Sequence, residues 1–481
     1  MHEPILDAYE GDASRDAGAL FLDLVADYLA RTRDEAMPVW TGHDATTLAE
    51  RFAEPLPRRG RELEEVVARI ERDVLPDCNK LAHPMYMGHQ VSAPLPAATW
   101  SESLVAAINN STAVWEMSPV STVIETQVVR WLCELAGLSD GSGGTLTTGG
   151  TEATFTALLA ARAAAMPDAW TEGVGDDPPV LVHGEQAHYA VSRAAGELGI
   201  GMRNAVSVPT KGFRTDPRAL RETLDRLAAE RRGVMAVVAT AGSTPTGSFD
   251  DLEAIGALCA ERGVWLHVDA AHGGSALLSA RHAKRMAGVS RASSIAWDPH
   301  KMMLLPLQCG VLLVRDEGVL ERAFAQKAPY LFHGARERDE RLWDQGPRSF
   351  LCSRRADALK LWIAIQRYGA DGIGALYDRL CETAHALYEQ VRRRAELEAI
   401  HEPESNIVCF RYVAGGADDA FNMKLRDAYN RGGEGWITTT ILDGRRVLRA
   451  TIMNPRTTER HVTRLVDGLL RTAAVMAEER L

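Results

Sequence analysis

The chain has 481 residues, 46% hydrophobic and 25% charged, with 54 Lys and Arg against 65 Asp and Glu and a formal net charge of −11. That much apolar material supports a sizeable core and excludes disordered and fibrous classes; at roughly 100–200 residues per domain, the length suits two to four domains or one large domain with appendages. The acidic balance argues against a nucleic-acid partner or a polybasic membrane surface, and no apolar stretch approaches the ~18 residues of a spanning helix. The opening residues 1–16 carry no cationic start followed by an apolar run, so no secretory signal is expected. The seven cysteines are scattered without a CxxC pair, which reads as reduced thiols in a cytoplasmic protein.

In chain order, apolar residues recur with helical period over residues 17–31 (Leu20, Phe21, Leu24, Val25, Tyr28, Leu29) and again over 61–74. They predict an N-terminal helical arm, residues 1–94, too small for its own core and expected to drape over another domain or a second subunit. Over 95–355, short apolar runs at 179–183, 234–240, 263–271, 294–297 and 310–315 alternate with helical stretches. Such runs predict a mainly parallel sheet buried on both faces. Residues 137–150 are rich in Gly, Ser and Thr and open into a helix-forming run at 152–164. From 356 to 481 come a long helix (356–395), strand-like runs at 406–412, 436–441 and 446–452, and an amphipathic helix at 459–478. These predict a smaller α+β domain. No repeat period or low-complexity segment is present.

Three motifs carry chemistry. In Leu266-His267-Val268-Asp269-Ala270-Ala271-His272-Gly273-Gly274, residues Val264, Leu266 and Val268 alternate with Trp265, His267 and Asp269. Asp269 therefore falls at the C-terminal end of a strand, where open α/β sheets place ligands. A carboxylate followed only by small residues can touch something pressed close to the backbone; alone, it reads equally as a helix cap or surface acid. Asp298-Pro299-His300-Lys301 follows the next strand, and only seven of the 54 basic residues are lysines. Burial lowers a lysine's pKa and frees the amine for a Schiff base, which arginine cannot form; alone, Lys301 also reads as a surface lysine. In Thr147-Thr148-Gly149-Gly150-Thr151-Glu152-Ala153-Thr154, glycines and hydroxyls at a helix start leave backbone N–H groups free for a phosphate. This turn is neither a Walker loop nor a dinucleotide GxGxxG. A rival reading makes His267, Asp269 and His272 the ligands of a metal-dependent hydrolase, but it leaves Lys301 and the glycine turn without a role.

His-Val-Asp-Ala-Ala and then Pro-His-Lys, with Asp269 and Lys301 32 positions apart behind the glycine turn, closely resemble the group II pyridoxal-phosphate-dependent amino-acid decarboxylases (glutamate, cysteine sulfinate and aromatic-L-amino-acid). The resemblance runs from about residue 83 to about residue 454. It implies the α/β fold of type I pyridoxal-phosphate-dependent transferases (aspartate-aminotransferase-like), with a large cofactor-binding domain at 95–355, a small C-terminal domain at 356–481 and the helical arm. It further implies pyridoxal 5′-phosphate as cofactor, a homodimer, and decarboxylation of an L-amino acid to the amine and CO2.

By the same resemblance, three residues are catalytic. Lys301 would bear the cofactor as an aldimine, Asp269 would pair with its pyridine nitrogen so that the ring is an electron sink, and His188 would stack on the ring and move protons. Gly150 and Thr151 would cradle the phosphate with His300 nearby, Thr244 would approach the phenolic oxygen, and Ala271 would pack flat against the ring. Arg449 would hold the substrate carboxylate as a bidentate fork. No metal ligand is implied.

His300-Lys301-Met302-Met303, Leu307-Gln308-Cys309, Tyr330-Leu331-Phe332 and Gln90-Val91-Ser92 resemble the glutamate/cysteine-sulfinate branch. There, Gln90 would face the substrate side chain and an acidic substrate is expected, although Gln90 reads equally as a structural loop amide. One departure stands out. The family's mobile-loop tyrosine, a proton donor to the reacting carbon, has no counterpart in His333-Gly334-Ala335-Arg336-Glu337-Arg338-Asp339-Glu340-Arg341-Leu342-Trp343; its expected position falls near Asp339. An alternative outcome is then decarboxylation-coupled oxidative deamination, in which the unprotonated carbon reacts with oxygen to give an aldehyde; where His188 or His333 substitutes as proton donor, the amine is expected instead.

Overall fold

The computed structural model describes residues 13–324 and 343–478. The chain divides into two compact units: Gln90–His385 with Glu402–Val408, and Met1–His89 with Ala386–His401 and Cys409–Leu481. No described helix is long and apolar enough to cross a membrane.

The N-terminal segment forms helices α1 (Ala13–Arg31), α2 (Ala45–Arg51) and α3 (Leu63–Arg69). The helical pattern expected over 61–74 is real, but from Ile70 to Val74 the backbone widens into a π-helical turn.

The larger unit begins with helices α4 (Pro96–Ile108) and α5 (Pro119–Leu135). It is built on strands β1 (Gly143–Thr147), β2 (Val180–Gly184) and β3 (Ala205–Val208). A small hairpin, β4 (Thr210–Lys211) and β5 (Arg214–Thr215), precedes β6 (Val234–Thr240), β7 (Trp265–Asp269), β8 (Ser294–Trp297) and β9 (Gly310–Val314). The seven-stranded sheet has the order β1-β9-β8-β7-β6-β2-β3. β3, β2, β6, β7 and β8 pair in parallel, while β9 runs antiparallel to both β8 and β1. Helices α6 (Gly150–Ala165), α7 (Ala190–Glu197), α8 (Pro217–Ala229) and α9 (Leu252–Arg262) alternate with the strands. The core strands are almost fully buried, as their unbroken apolar runs require. Asp216 and Asp251 cap α8 and α9 through their side chains, whereas no side chain caps α6.

Strand β1 falls inside the segment 137–150, where richness in Gly, Ser and Thr predicts no strand. A Cβ on Gly144 would lie 2.0 Å from the Leu312 carbonyl of β9, so glycine here permits close strand approach. The edge strand β3 is half-exposed and lacks the apolar run that marks its neighbours. The long helix expected over 356–395 is α10 (Ala358–Arg392), broken at Gly369 with φ +68°.

In the smaller unit, β10 (Leu397–Ala399), β11 (Ile407–Tyr412), β12 (Thr438–Leu442) and β13 (Arg445–Thr451) form a sheet in the order β10-β11-β13-β12. It is accompanied by α11 (Asp419–Arg431) and α12 (Glu459–Glu478). The N-terminal segment is stitched to this part: Met87 N donates to Trp436 O (2.8 Å), Trp436 N to Met85 O (3.1 Å) and Thr451 N to Met87 O (2.9 Å).

Candidate active site

Thr240, Asp269 and Asp298, at or just past the ends of β6, β7 and β8, line a cavity of about 500 Å³. The parallel register puts Thr240, Asp269 and Ala296 side by side, and main-chain bonds carry the alignment past the strand ends. Ala241 N donates to Asp269 O (2.8 Å), Ala270 N to Ala296 O (3.0 Å) and Asp298 N to Ala271 O (3.1 Å). Asp269 is buried, and its Oδ1 accepts from Ala271 N at 3.2 Å.

The glycine turn lines the same cavity. Glu125 on α5 accepts Leu146 N (3.0 Å) and pairs with Arg354 Nη2 (2.6 Å), which also bonds Thr145 Oγ1 (2.9 Å), so the end of β1 is held firmly. Glu152 Oε2 then reaches back to Thr148 N (2.8 Å) and Thr148 Oγ1 (2.7 Å). A Cβ on Gly149 would come within 3.1 Å of His300 Cε1; one on Gly150 would come within 2.8 Å of Ala271 Cβ and 3.1 Å of Asp298 Oδ2. The first N–H groups of an uncapped helix have no intrahelical acceptor and sit at the positive end of its dipole. The turn thus has the close fit and the helix-start geometry that an anion cradle requires.

Lys301 lies in a tight turn after β8, with Lys301 N donating to Asp298 O (2.9 Å). Its Nζ stands 3.1 Å from Asp298 Oδ2, and His300 Nε2 stands 3.5 Å from the same oxygen. His300 is pinned by Cys309: His300 N donates to Cys309 O (3.2 Å), and Cys309 N donates to His300 Nδ1 (3.1 Å). Ser92 Oγ donates to His300 O (3.2 Å), tying the stretch after Gln90 to this loop.

His188 is held in the same manner, its Nδ1 accepting from Ala190 N at 3.2 Å. Burial pushes the imidazoles of both His188 and His300 below their ordinary value. For His188, Asp269 and Asp298 pull upward while Lys301 adds to the lowering. With Nδ1 occupied as an acceptor, each neutral ring carries its proton on Nε2.

Gly150, Thr151, His188, Thr244, Asp269, Ala271, His300 and Lys301 therefore all line one cavity. Gln90 opens the same unit, outside this lining, with its buried Nε2 lacking a hydrogen-bond partner among the described residues. Arg449 belongs to the smaller unit, on β13, where it is buried and Nη1 donates to Gly88 O (3.5 Å) and Thr438 Oγ1 (3.4 Å). Burial lowers its guanidinium pKa. His333, Asp339 and Tyr330-Leu331-Phe332 lie outside the described residues. The lining also contains Asp298, Tyr189, Leu307 and Gln308, which were not anticipated as site residues. Asp298 had a usable signal, because it stands three positions before Lys301 in the same turn.

The metal-hydrolase reading fails on its ligands. His267 is fully buried, with Nδ1 2.9 Å from Ser294 Oγ and Nε2 3.4 Å from Thr154 Oγ1, and His272 Nε2 lies 2.7 Å from Asn406 Oδ1. Among the described residues, no three His, Cys, Asp or Glu side chains converge for a metal. His267 is instead a core group whose imidazole burial pushes down to about 4. The unfolded chain takes up this proton below its ordinary value of 6.5, whereas the folded chain resists it. Stability from this group is therefore complete above that value and falls as pH drops toward 4, by up to about 1.4 kcal/mol per pH unit. Urea unfolding of His267→Gln should show a shallower loss across that window; an unchanged slope contradicts the assignment.

Comparison with known proteins places the chain in a family. A family model described as "Pyridoxal-dependent decarboxylase conserved domain" matches residues 46–413. L-2,4-diaminobutyrate decarboxylase from Rhizobium meliloti (strain 1021) is 36% identical over 428 residues, covering 87% of this chain and 84% of that protein. Cysteine sulfinic acid decarboxylase from Homo sapiens is 34% identical over 362 residues, covering 74% of this chain and 73% of that protein. The crystal structure of Oryza sativa TDC with PLP and tryptamine superposes with a TM-score of 0.90 at 25% identity, covering 97% of this chain and 99% of that one. The fold is accordingly the type I, aspartate-aminotransferase-like one, and these relatives do not favour the aldehyde-forming or hydrolase alternatives. From its sequence motifs, its fold and these matches, the chain belongs to the group II pyridoxal-phosphate-dependent amino-acid decarboxylases, enzymes that remove CO2 from an L-amino acid.

Proposed function

We propose that this cavity binds pyridoxal phosphate on Lys301 and decarboxylates a short L-amino acid bearing a charged side chain. The observation that carries the reading is the convergence of Lys301, Asp269, His188 and the uncapped glycine turn on one cavity. Bound there, the cofactor supplies an electron sink for the carbon that loses CO2. The protein does the rest. Backbone N–H groups of Gly150 and Thr151, with His300 Nε2–H, hold the phosphate. Asp269 keeps a proton on the pyridine nitrogen, since a buried carboxylate favours a charged partner. Ala271 leaves room for the ring, Thr244 serves its phenolic oxygen, and His188 moves a proton through Nε2. Arg449 orients the substrate carboxylate. As a check on the cradle, Gly150→Ala should weaken pyridoxal-phosphate binding by about 1–3 kcal/mol, roughly 5- to 150-fold, in a fluorescence titration; unchanged affinity would contradict it.

The longer match to a diaminobutyrate decarboxylase supports L-2,4-diaminobutyrate as substrate. The buried, unpartnered amide nitrogen of Gln90 supports a second reading, an acidic amino acid such as cysteine sulfinate, glutamate or aspartate. Product analysis by mass spectrometry across a panel of amino acids, under air and under nitrogen, separates them. Turnover of aromatic or aliphatic substrates alone would defeat both. We also propose a cytoplasmic homodimer: α1 buries none of its residues and exposes Phe21 and Leu22, and none of the seven cysteines is joined in a disulfide. Light scattering on the purified protein checks the assembly.

A further inference from the structure

We infer that Asp298 couples capture of the phosphate-bearing cofactor to uptake of a proton. This rests on the cofactor reading above and extends it to a residue that the reading leaves without a role. Asp298 is 2% exposed. One carboxyl oxygen, Oδ2, faces Lys301 Nζ at 3.1 Å and His300 Nε2 at 3.5 Å. The other, Oδ1, is buried without a hydrogen-bond partner among the described residues. Both oxygens border the glycine turn: a Cβ on Gly150 would lie 3.1 Å from Oδ2 and 3.6 Å from Oδ1, and one on Gly149 would lie 4.0 Å from Oδ1. A carboxyl group with a vacant oxygen therefore stands in the phosphate cradle itself.

With Lys301 as an ammonium, Asp298 has a counter-charge. Once Lys301 is committed to the cofactor and a phosphate occupies the turn, two anionic groups would share a site from which water is excluded. Like charges in that setting favour protonation of one of them. A protonated Asp298 carboxyl changes from an acceptor to a donor, and it then offers the phosphate an O–H where the carboxylate would repel it. The titratable groups facing it are Lys301 and His300 on its own loop, His188 before α7, Asp269 at the end of β7, and Cys309 before β9. Neither neutral histidine supplies a full positive charge to offset the phosphate. The step is a proton transfer only: one proton leaves the solvent and one O–H bond forms on Asp298.

The test is pyridoxal-phosphate binding by titration calorimetry, in buffers of differing ionisation enthalpy, for the wild-type chain and Asp298→Asn. The amide donates without titrating, and the ligand's own ionisation is common to both proteins. The wild type should take up about one proton more per cofactor bound than Asp298→Asn, and its affinity should fall more steeply as pH rises, approaching tenfold per pH unit. Asp298→Asn should bind at least tenfold more tightly at alkaline pH. Equal proton counts and parallel pH profiles would overturn the inference. Infrared difference spectra of the wild type alone give a check that needs no variant: a protonated-carboxyl band should appear on cofactor binding, and its absence would also overturn it. If the wild type binds no pyridoxal phosphate, the cofactor reading itself fails, an outcome distinct from binding without proton uptake.

Discussion

Replacing Lys301 by alanine should yield a folded, colourless protein whose decarboxylation rate falls by about 10³-fold or more, a loss of at least ~4 kcal/mol of transition-state stabilisation. The reason is covalent: of the lining residues, Lys301 alone carries a primary amine, and no neighbour can replace it. His300 and His188 are held through Nδ1 by main-chain N–H groups, which leaves them fixed donors rather than substitutes. Lys301→Arg is the sharper variant, because it preserves a positive charge beside Asp298 but cannot form the bond. It should be as inactive as the alanine variant. Absorbance of the purified protein and single-turnover rates with the preferred amino acid read both; either variant retaining a tenth of wild-type activity would contradict the role.

Asp269→Ala is expected to cost about 10²-fold or more in kcat while leaving cofactor capture largely intact. In the proposed reading, capture depends on Lys301 and the glycine turn, which lie on other segments, and among the described residues Asp269 Oδ1 accepts the local bond from Ala271 N. On the proposed role of Asp269, the variant would lose the negative charge that keeps a proton on the pyridine nitrogen, and with it the electron sink. Asp269→Asn keeps an oxygen for Ala271 N but not the charge. It should behave kinetically like Asp269→Ala, whereas a purely structural role would let the asparagine rescue activity.

The parts of this architecture written in apolar runs were legible from the sequence. β6, β8 and α12 stand where their patterns place them, because a strand buried on both faces and a helix buried on one leave direct periodic signatures. The positions of Asp269, at the end of β7, and of Lys301, in the turn after β8, were legible because each stands at or just past such a run. β1 was not, since its glycines, which admit the β9 backbone, look locally like a turn. β3 was not, since an edge strand needs few apolar residues. Asp298 was visible as part of a motif, yet its chemistry depends on a contact across the turn to Nζ and on the approach of the glycine loop from a distant segment. That approach is a tertiary fact without a linear pattern. Arg449 and Gln90 were nominated by resemblance alone, and their substrate contacts await the panel experiment.

Borohydride reduction of the wild-type protein in the presence of pyridoxal phosphate, followed by proteolysis and mass spectrometry, tests the central claim most directly. The account requires the reduced cofactor to be fixed on the peptide containing Lys301, in stoichiometric yield, with Lys80, Lys211, Lys284, Lys327, Lys360 and Lys424 unmodified. Attachment at any of those six lysines instead, or none at all, would contradict it.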